Sequence, residues 1–450
     1  MRAVRMLGAL VGAAALGLST VVASAATATA ARPEVVSEHY DYESFDCGYP
    51  IDVIGDFTSA EVSRTRSPKE PDVFYFHGRL SFREVWTNPD TGAWFVVRGT
   101  WLEKDVTAKL VRDNIYEYVV IQAGQPLVIE DSTGRVVARD RGVIRYRVQW
   151  DTDGNFVDFL GMDVRGPHSS LNTCRYAADL IGMGNSTSSQ RYTLRPAGST
   201  ESPLGYVEYV PPTYGQAPSP LLVFLHGSGE SGDGSADALA VQAEQAIPRH
   251  IANDGWPDER PFVVLAPQHD DIGGGPGYEH CDGVAFPGSC FLSTWHDRGH
   301  LSAEAPCFTP DEVRDFITYA VGAYDVDPSR VYLTGLSCGG FGTWEYLEAY
   351  GDAQVAAAVP IAGEGRPAWE AVGCALAAVP VWAFHGALDD VVDPQGSIVP
   401  VTGLRNQCGV ADDEAGLTIY PDRDHDSWNI TYAQGSPVDI YSWLLDHTSP

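Results

Sequence analysis

The chain has 450 residues, 44% of them hydrophobic, and a formal net charge of −31. That length suits two or three domains with sizeable cores. The charge excludes nucleic acid and anionic lipid as natural partners, because a phosphate-binding surface needs clustered Lys and Arg, and lysine occurs only at Lys69, Lys104 and Lys109.

Residues 1–30 open with Arg2 and Arg5, continue through an apolar stretch and end in small residues around Ala23–Ala25 and Ala28–Ala30. This is the pattern of a secretory signal removed on export. No later run is long and apolar enough to span a bilayer, so the expected location is extracellular, with no membrane association. Eight cysteines in an exported chain point to disulfides. No CxxC pair occurs and no other ligand pattern is recognisable, so neither a metal nor a cofactor is expected.

Residues 40–175 alternate polar and apolar positions. The stretches VFYFHGRLSF, AWFVVRGTWL, YEYVVIQ and GVIRYRVQW are strand-like, with turns at residues 88–92, 131–134 and 151–154. We read an antiparallel sandwich or barrel, with Cys47 and Cys174 near its two ends as a candidate pair. Residues 176–190, small and polar over 182–190, suit a linker.

From 191 to 450 the pattern changes. LLVFL, FVVLA, VYLTG, VAAAVPI, VPVWAF and LTIY are short apolar runs that fit strands buried on both faces of a parallel sheet. Helical segments separate them. In TPDEVRDFITYAVGAY, Thr309 caps, Pro310 sits at the first helical position and Glu312 completes a capping box. Val313, Phe316, Ile317, Ala320 and Tyr324 then share one face. Strand alternating with helix predicts a doubly wound α/β domain whose site lies at the carboxyl ends of the strands. Residues from about 270 to 306, rich in glycine and cysteine, read as an insertion.

Gly335-Leu-Ser337-Cys338-Gly339 falls where a strand ends and a helix begins, the setting of a nucleophile elbow. A serine hydroxyl needs a base, and the base needs an orienting acid. FHGALDD delivers Asp389 to the end of one strand, with Asp390 and Asp393 as rivals, and YPDRDHDSW delivers His425 to the end of the next. His447 is the rival base, at the chain end. LHGSGE ends the first strong strand in a small-residue loop, from which Ser228 is expected to offer a backbone N–H to an oxyanion; Cys338 supplies the second. Glu230 either orients that loop or is solvated. His226 and His385 are expected to hold neighbouring backbone, and Trp344 to be core. Trp295 and Trp428 are candidates for lining the substrate pocket.

On these motifs, residues from about 204 to 447 resemble the α/β-hydrolase superfamily. They are similar to secreted esterases of the dienelactone hydrolase and phospholipase/carboxylesterase branch, often labelled peptidases. The resemblance implies a triad of Ser337, Asp389 and His425 that cleaves carboxylic esters. Peptide hydrolysis by the same triad, or ligand binding with an inert hydrolase half, are the alternatives. The opening CGYPIDV and the late cysteine make the first half similar to a β-rich module of secreted actinobacterial proteins, which carries no catalytic residues. Export together with an extra module suggests a polymeric substrate, either a polysaccharide carrying feruloyl or acetyl groups or a polyester. Cys374 and Cys408 are a candidate pair; Cys281, Cys290, Cys307 and Cys338 leave three pairings, or a buried free thiol at Cys338.

Overall fold

In the computed structural model, residues 34–67, 70–112, 114–151, 156–165, 173–183, 191–253, 255–269 and 308–449 are described. Residues 1–33 with the expected export signal, residues 270–307 with the expected insertion and Trp295, Cys281, Cys290 and Cys307, and residues 184–190 lie outside them. The chain forms two compact units. One holds Met1–Ser44 and Pro50–Ser186; the other holds Phe45–Tyr49 and Thr187–Pro450.

The first unit is all antiparallel. Strands β1 (Glu34–Ser44), β2 (Ile51–Ser67), β3 (Glu70–Thr87), β4 (Trp94–Arg112), β5 (Ile115–Glu130), β7 (Gly142–Asp151) and β8 (Phe156–Arg165) form one meandering sheet, and short β6 (Val136–Arg139) pairs with β5. The alternation seen in the sequence is a true two-residue period. Ile51, Val53 and Phe57 are buried while Asp52, Ile54 and Asp56 face out. The turn at residues 88–92 closes through Asn88, whose side-chain oxygen accepts the N–H groups of Asp90 and Thr91. Helix α1 (Thr173–Ile181) corrects the expected start of the linker at 176, because Cys174, Ala177 and Ile181 recur on one buried face.

The second unit is doubly wound. Its sheet runs β16 (Ala415–Tyr420), β15 (Val381–Gly386), β14 (Ala357–Ile361), β13 (Val326–Leu336), β11 (Ser219–Leu225), β12 (Val263–Pro267), β10 (Tyr206–Tyr209), β9 (Thr193–Arg195). The strands from β16 through β12 are parallel; β10 and β9 add an antiparallel edge. Each apolar run serves two cores. Leu222 and Phe224 point into one hydrophobic layer, whereas Leu221, Val223 and Leu225 point into the opposite one. Burying each such side chain contributes roughly 1.5–3 kcal/mol before entropy is counted.

The first layer packs against helices α2 (Ala236–Gln242), α3 (Ala246–Ala252), α8 (Trp428–Tyr432) and α9 (Ile440–Leu445). The second packs against α4 (Pro310–Ala323), α5 (Cys338–Tyr350), α6 (Arg366–Val372) and α7 (Gln395–Cys408). Helix α4 carries the expected capping box at Thr309 and Glu312. Its buried face is Val313, Phe316, Ile317 and Ala320, but Tyr324 has left the helix in extended backbone. Trp344 is fully buried in the second layer.

Cys374 and Cys408 are bonded across 5.5 Å between Cα atoms, which ties the end of α7 back to the turn after α6. With its ends 34 positions apart, the bond should add about 3–4 kcal/mol in the chain-entropy model. Replacing both cysteines by serine should therefore lower the urea midpoint of this unit by a corresponding amount; an unchanged midpoint would mean that α7 holds its place without the bond. Cys47, Cys174 and Cys338 are disulfide-bonded too, and no cysteine among the described residues is free. The alternative of a buried thiol at Cys338 is thereby removed.

Candidate active site

Ser337 sits between β13 and α5 with φ 50° and ψ −116°, a conformation that a non-glycine residue adopts only under constraint. Its N–H donates to the Ile361 carbonyl, and its own carbonyl accepts from Phe341. The turn needs Gly339. A Cβ there would lie 2.1 Å from the Leu225 carbonyl oxygen, so only a bare backbone lets the helix start pass the end of β11. The turn places Ser337 at the carboxyl end of the central strand β13, at the N-terminus of α5, where the helix dipole favours negative charge.

His425 follows β16 and Asp389 follows β15. Their two loops are zipped together by backbone: Leu388 N–H donates to the Arg423 carbonyl and Ala387 N–H to that of Tyr420. Gly386 permits this approach, since a Cβ there would stand 2.0 Å from the Asp424 carbonyl oxygen. The result is a continuous chain of polar contacts. His425 Nε2 is 3.0 Å from Ser337 Oγ, and its Nδ1 is 2.8 Å from Asp389 Oδ2. The carboxylate fixes the tautomer: Nδ1 carries the hydrogen, so Nε2 is left to accept from the serine hydroxyl.

Asp389 is 8% exposed. Its Oδ1 accepts the N–H groups of Val391 and Val392. A second imidazole also reaches its Oδ2. His385 Nε2 lies 3.1 Å from that oxygen and 3.0 Å from the Val392 carbonyl, while its Nδ1 meets Ser397 Oγ at 2.8 Å. Burial pushes the Asp389 carboxyl up, but the hydrogen bonds from His385, His425 and Val392 outweigh it and hold the group well below the usual carboxylate range. His385 therefore holds backbone, as its type and place predict, and it also braces the acid. The rival Asp390 is exposed, and Asp393 is ion-paired with Arg366. His447 turns its Nδ1 to the Trp443 carbonyl at the far end of the chain.

Ser228 opens a 3₁₀ turn (Ser228–Glu230) directly after β11 and is exposed, whereas Cys338 is the buried first residue of α5. The loop carrying Ser228 is braced from below. Buried His226 accepts the His269 N–H at Nε2 and contacts the Gly227 carbonyl through Nδ1, so it donates there as the neutral ring. Burial lowers its pKa to about 4, which fits that state. The Glu230 carboxyl lies against the Gly227 backbone, with Oε2 3.0 Å from where a Cβ on that glycine would stand, and burial pushes it up to about 7. Of the two readings of Glu230, this contact supports orientation of the loop. Trp428 meets the His425 ring edge-to-face, with centroids 5.1 Å apart, and packs on the first hydrophobic layer. Among the described residues there is no cluster of His, Cys, Asp and Glu able to hold a metal, and no helix is long and apolar enough to cross a membrane.

A parallel sheet wound on both faces, with a strained serine after β13, an acid after β15 and a histidine after β16, is the α/β-hydrolase fold. No protein-family model matches the chain. The bifunctional acetylxylan esterase/xylanase of Neocallimastix patriciarum is 26% identical over 224 residues, which are 49% of this chain and 26% of that protein. The chain thus spans about a quarter of that relative's length. Among solved structures, a thermostable esterase matches with TM-score 0.40 and 21% identity over 78% of this chain and 96% of its own. Dipeptidyl peptidase 4 of Porphyromonas gingivalis matches with TM-score 0.38 and 12% identity, over 94% of this chain and 78% of its own.

Proposed function

We propose that the chain is an exported serine hydrolase of carboxylic esters. The observation that carries this is the Ser337–His425–Asp389 chain, with contacts of 3.0 and 2.8 Å at the ends of three strands. His425 takes the hydroxyl proton as Ser337 Oγ attacks the acyl carbonyl. The backbone N–H groups of Ser228 and Cys338 receive the oxyanion. The alcohol leaves with the proton from His425, giving an acyl-serine. Water, deprotonated by His425, then releases the acid and restores the serine.

The substrate class we favour is an acetyl or feruloyl ester on a polysaccharide. The likeness to a protein named acetylxylan esterase/xylanase supports it. The test is hydrolysis of nitrophenyl esters of graded acyl length, a feruloyl ester, acetylated xylan and a peptide anilide, with fluorophosphonate labelling alongside. Labelled protein that is fastest on short acyl esters and releases acetate from xylan is the expected result. Faster cleavage of the anilide would overturn the ester assignment in favour of a peptidase.

A further inference from the structure

The second unit contains five residues from far outside its main span, Phe45–Tyr49. They are not loosely attached. Phe45 is 4% exposed and belongs to the first hydrophobic layer. The Gln434 N–H donates to the Gly48 carbonyl at 2.6 Å. A Cβ on Gly255 would stand 2.4 Å from the Cys47 carbonyl oxygen, so backbone passes directly against backbone.

Within this segment Asp46 has a specific set of partners. Its Oδ1 accepts Asn429 Nδ2 at 2.8 Å and lies 3.5 Å from Arg249 Nη2, with the Asp46 and Arg249 side chains only 9% and 7% exposed. The same Asn429 Nδ2 donates to Asp426 Oδ2 at 2.8 Å, and the Asn429 N–H donates to Asp426 Oδ1. Asp426 is the residue after His425, and the turn between them is closed by the Ser427 N–H on the His425 carbonyl. A line of hydrogen bonds therefore runs from Asp46 through Asn429 to the turn that carries the histidine.

We propose that Phe45–Tyr49 is a working part of the hydrolytic unit and that Asp46 is a positioning residue for His425, acting through Asn429 and Asp426. This rests on the esterase chemistry above. The electrostatics agree with the geometry. Burial first, then the charge of Asp46, push the Asp426 carboxyl up to about 7; the Asn429 bonds pull it back and Asp424 adds to the rise. The side chains of Asp46 and Asp426 are thus close enough to sense each other, with Asn429 clamped between them. Displacing a base by a fraction of an ångström costs rate rather than binding.

The experiment uses the full chain. Asp46→Ala should lower kcat and the rate of fluorophosphonate labelling about 10–100-fold with KM little changed. Asp46→Asn keeps the oxygen that accepts from Asn429 and should lose less. The exposed Asp52→Asn should match wild type in both readouts. In a double-mutant cycle, Asp46→Asn should have no further effect once Asn429→Ala is present, because both act on one path. That cycle decides the matter even where Asp46→Ala fails to fold. An Asp46→Asn effect that persists without Asn429, or wild-type labelling of folded Asp46→Ala, would overturn the proposal. Failure of wild type itself to label would instead remove the esterase reading.

Discussion

Ser337→Ala should abolish turnover of nitrophenyl acetate, with a loss on the order of 10⁴–10⁶ in kcat. The alanine variant keeps every contact that builds the elbow. The backbone bonds to Ile361 and from Phe341 do not involve the hydroxyl, and the methylene carbon remains in place. Only the atom 3.0 Å from His425 Nε2 is removed. The melting temperature should therefore stay close to wild type, and fluorophosphonate labelling should vanish. Any activity that remains would come from the oxyanion donors and bound water. Turnover within tenfold of wild type would show that another nucleophile does the chemistry.

Asp389→Asn should cost on the order of 10⁴ in kcat, as expected when an acid that sets a histidine tautomer becomes an amide. This site makes the replacement unusually poor. One oxygen of Asp389 must face the N–H groups of Val391 and Val392, and the other must face both His385 and His425. An amide that keeps its oxygen on the backbone turns an NH₂ towards two imidazole N–H groups. His425 then shifts its hydrogen to Nε2 and can no longer accept from Ser337. Asp390→Asn changes an exposed side chain and should leave kcat within about threefold, as surface substitutions usually do. A larger loss from Asp390→Asn than from Asp389→Asn would move the acid by one residue.

The same carboxyl links stability to pH. Its folded pKa lies below the unfolded value of about 3.9, so its contribution is fully present above that pH and is lost as pH falls towards the folded value. The Asp389→Asn variant should lack this part of the acid transition, which urea titrations at descending pH can measure.

The sheet of the second unit was legible because burial on both faces leaves unbroken apolar runs such as Leu221–Leu225, and the elbow because its glycines are demanded by backbone contact. Asp389 was separable from Asp390 only through resemblance; in space one is buried against two imidazoles and the other faces out. The edge strands β9 and β10 left little trace, being short and without a strong pattern. The bond between His385 and Asp389 was missed because the position after Phe384 reads as the end of a buried strand, where a histidine ordinarily serves backbone. The membership of Phe45–Tyr49 in the second unit had no local signal at all. It depends on partners chosen by tertiary structure, and CGYPIDV reads equally well as a strand entry.

That segment also bears on the order in which the molecule can be finished. Asp46 and Asn429 are 383 positions apart along the chain, so their contact closes a long loop whose entropy cost grows only slowly with its length. A growing polypeptide has made Asp46 long before it has made the turn bearing His425. Phe45–Tyr49 can therefore take its place in the second unit only once the turn at residues 425–429 has been made, and until then Asp46 waits without Asn429.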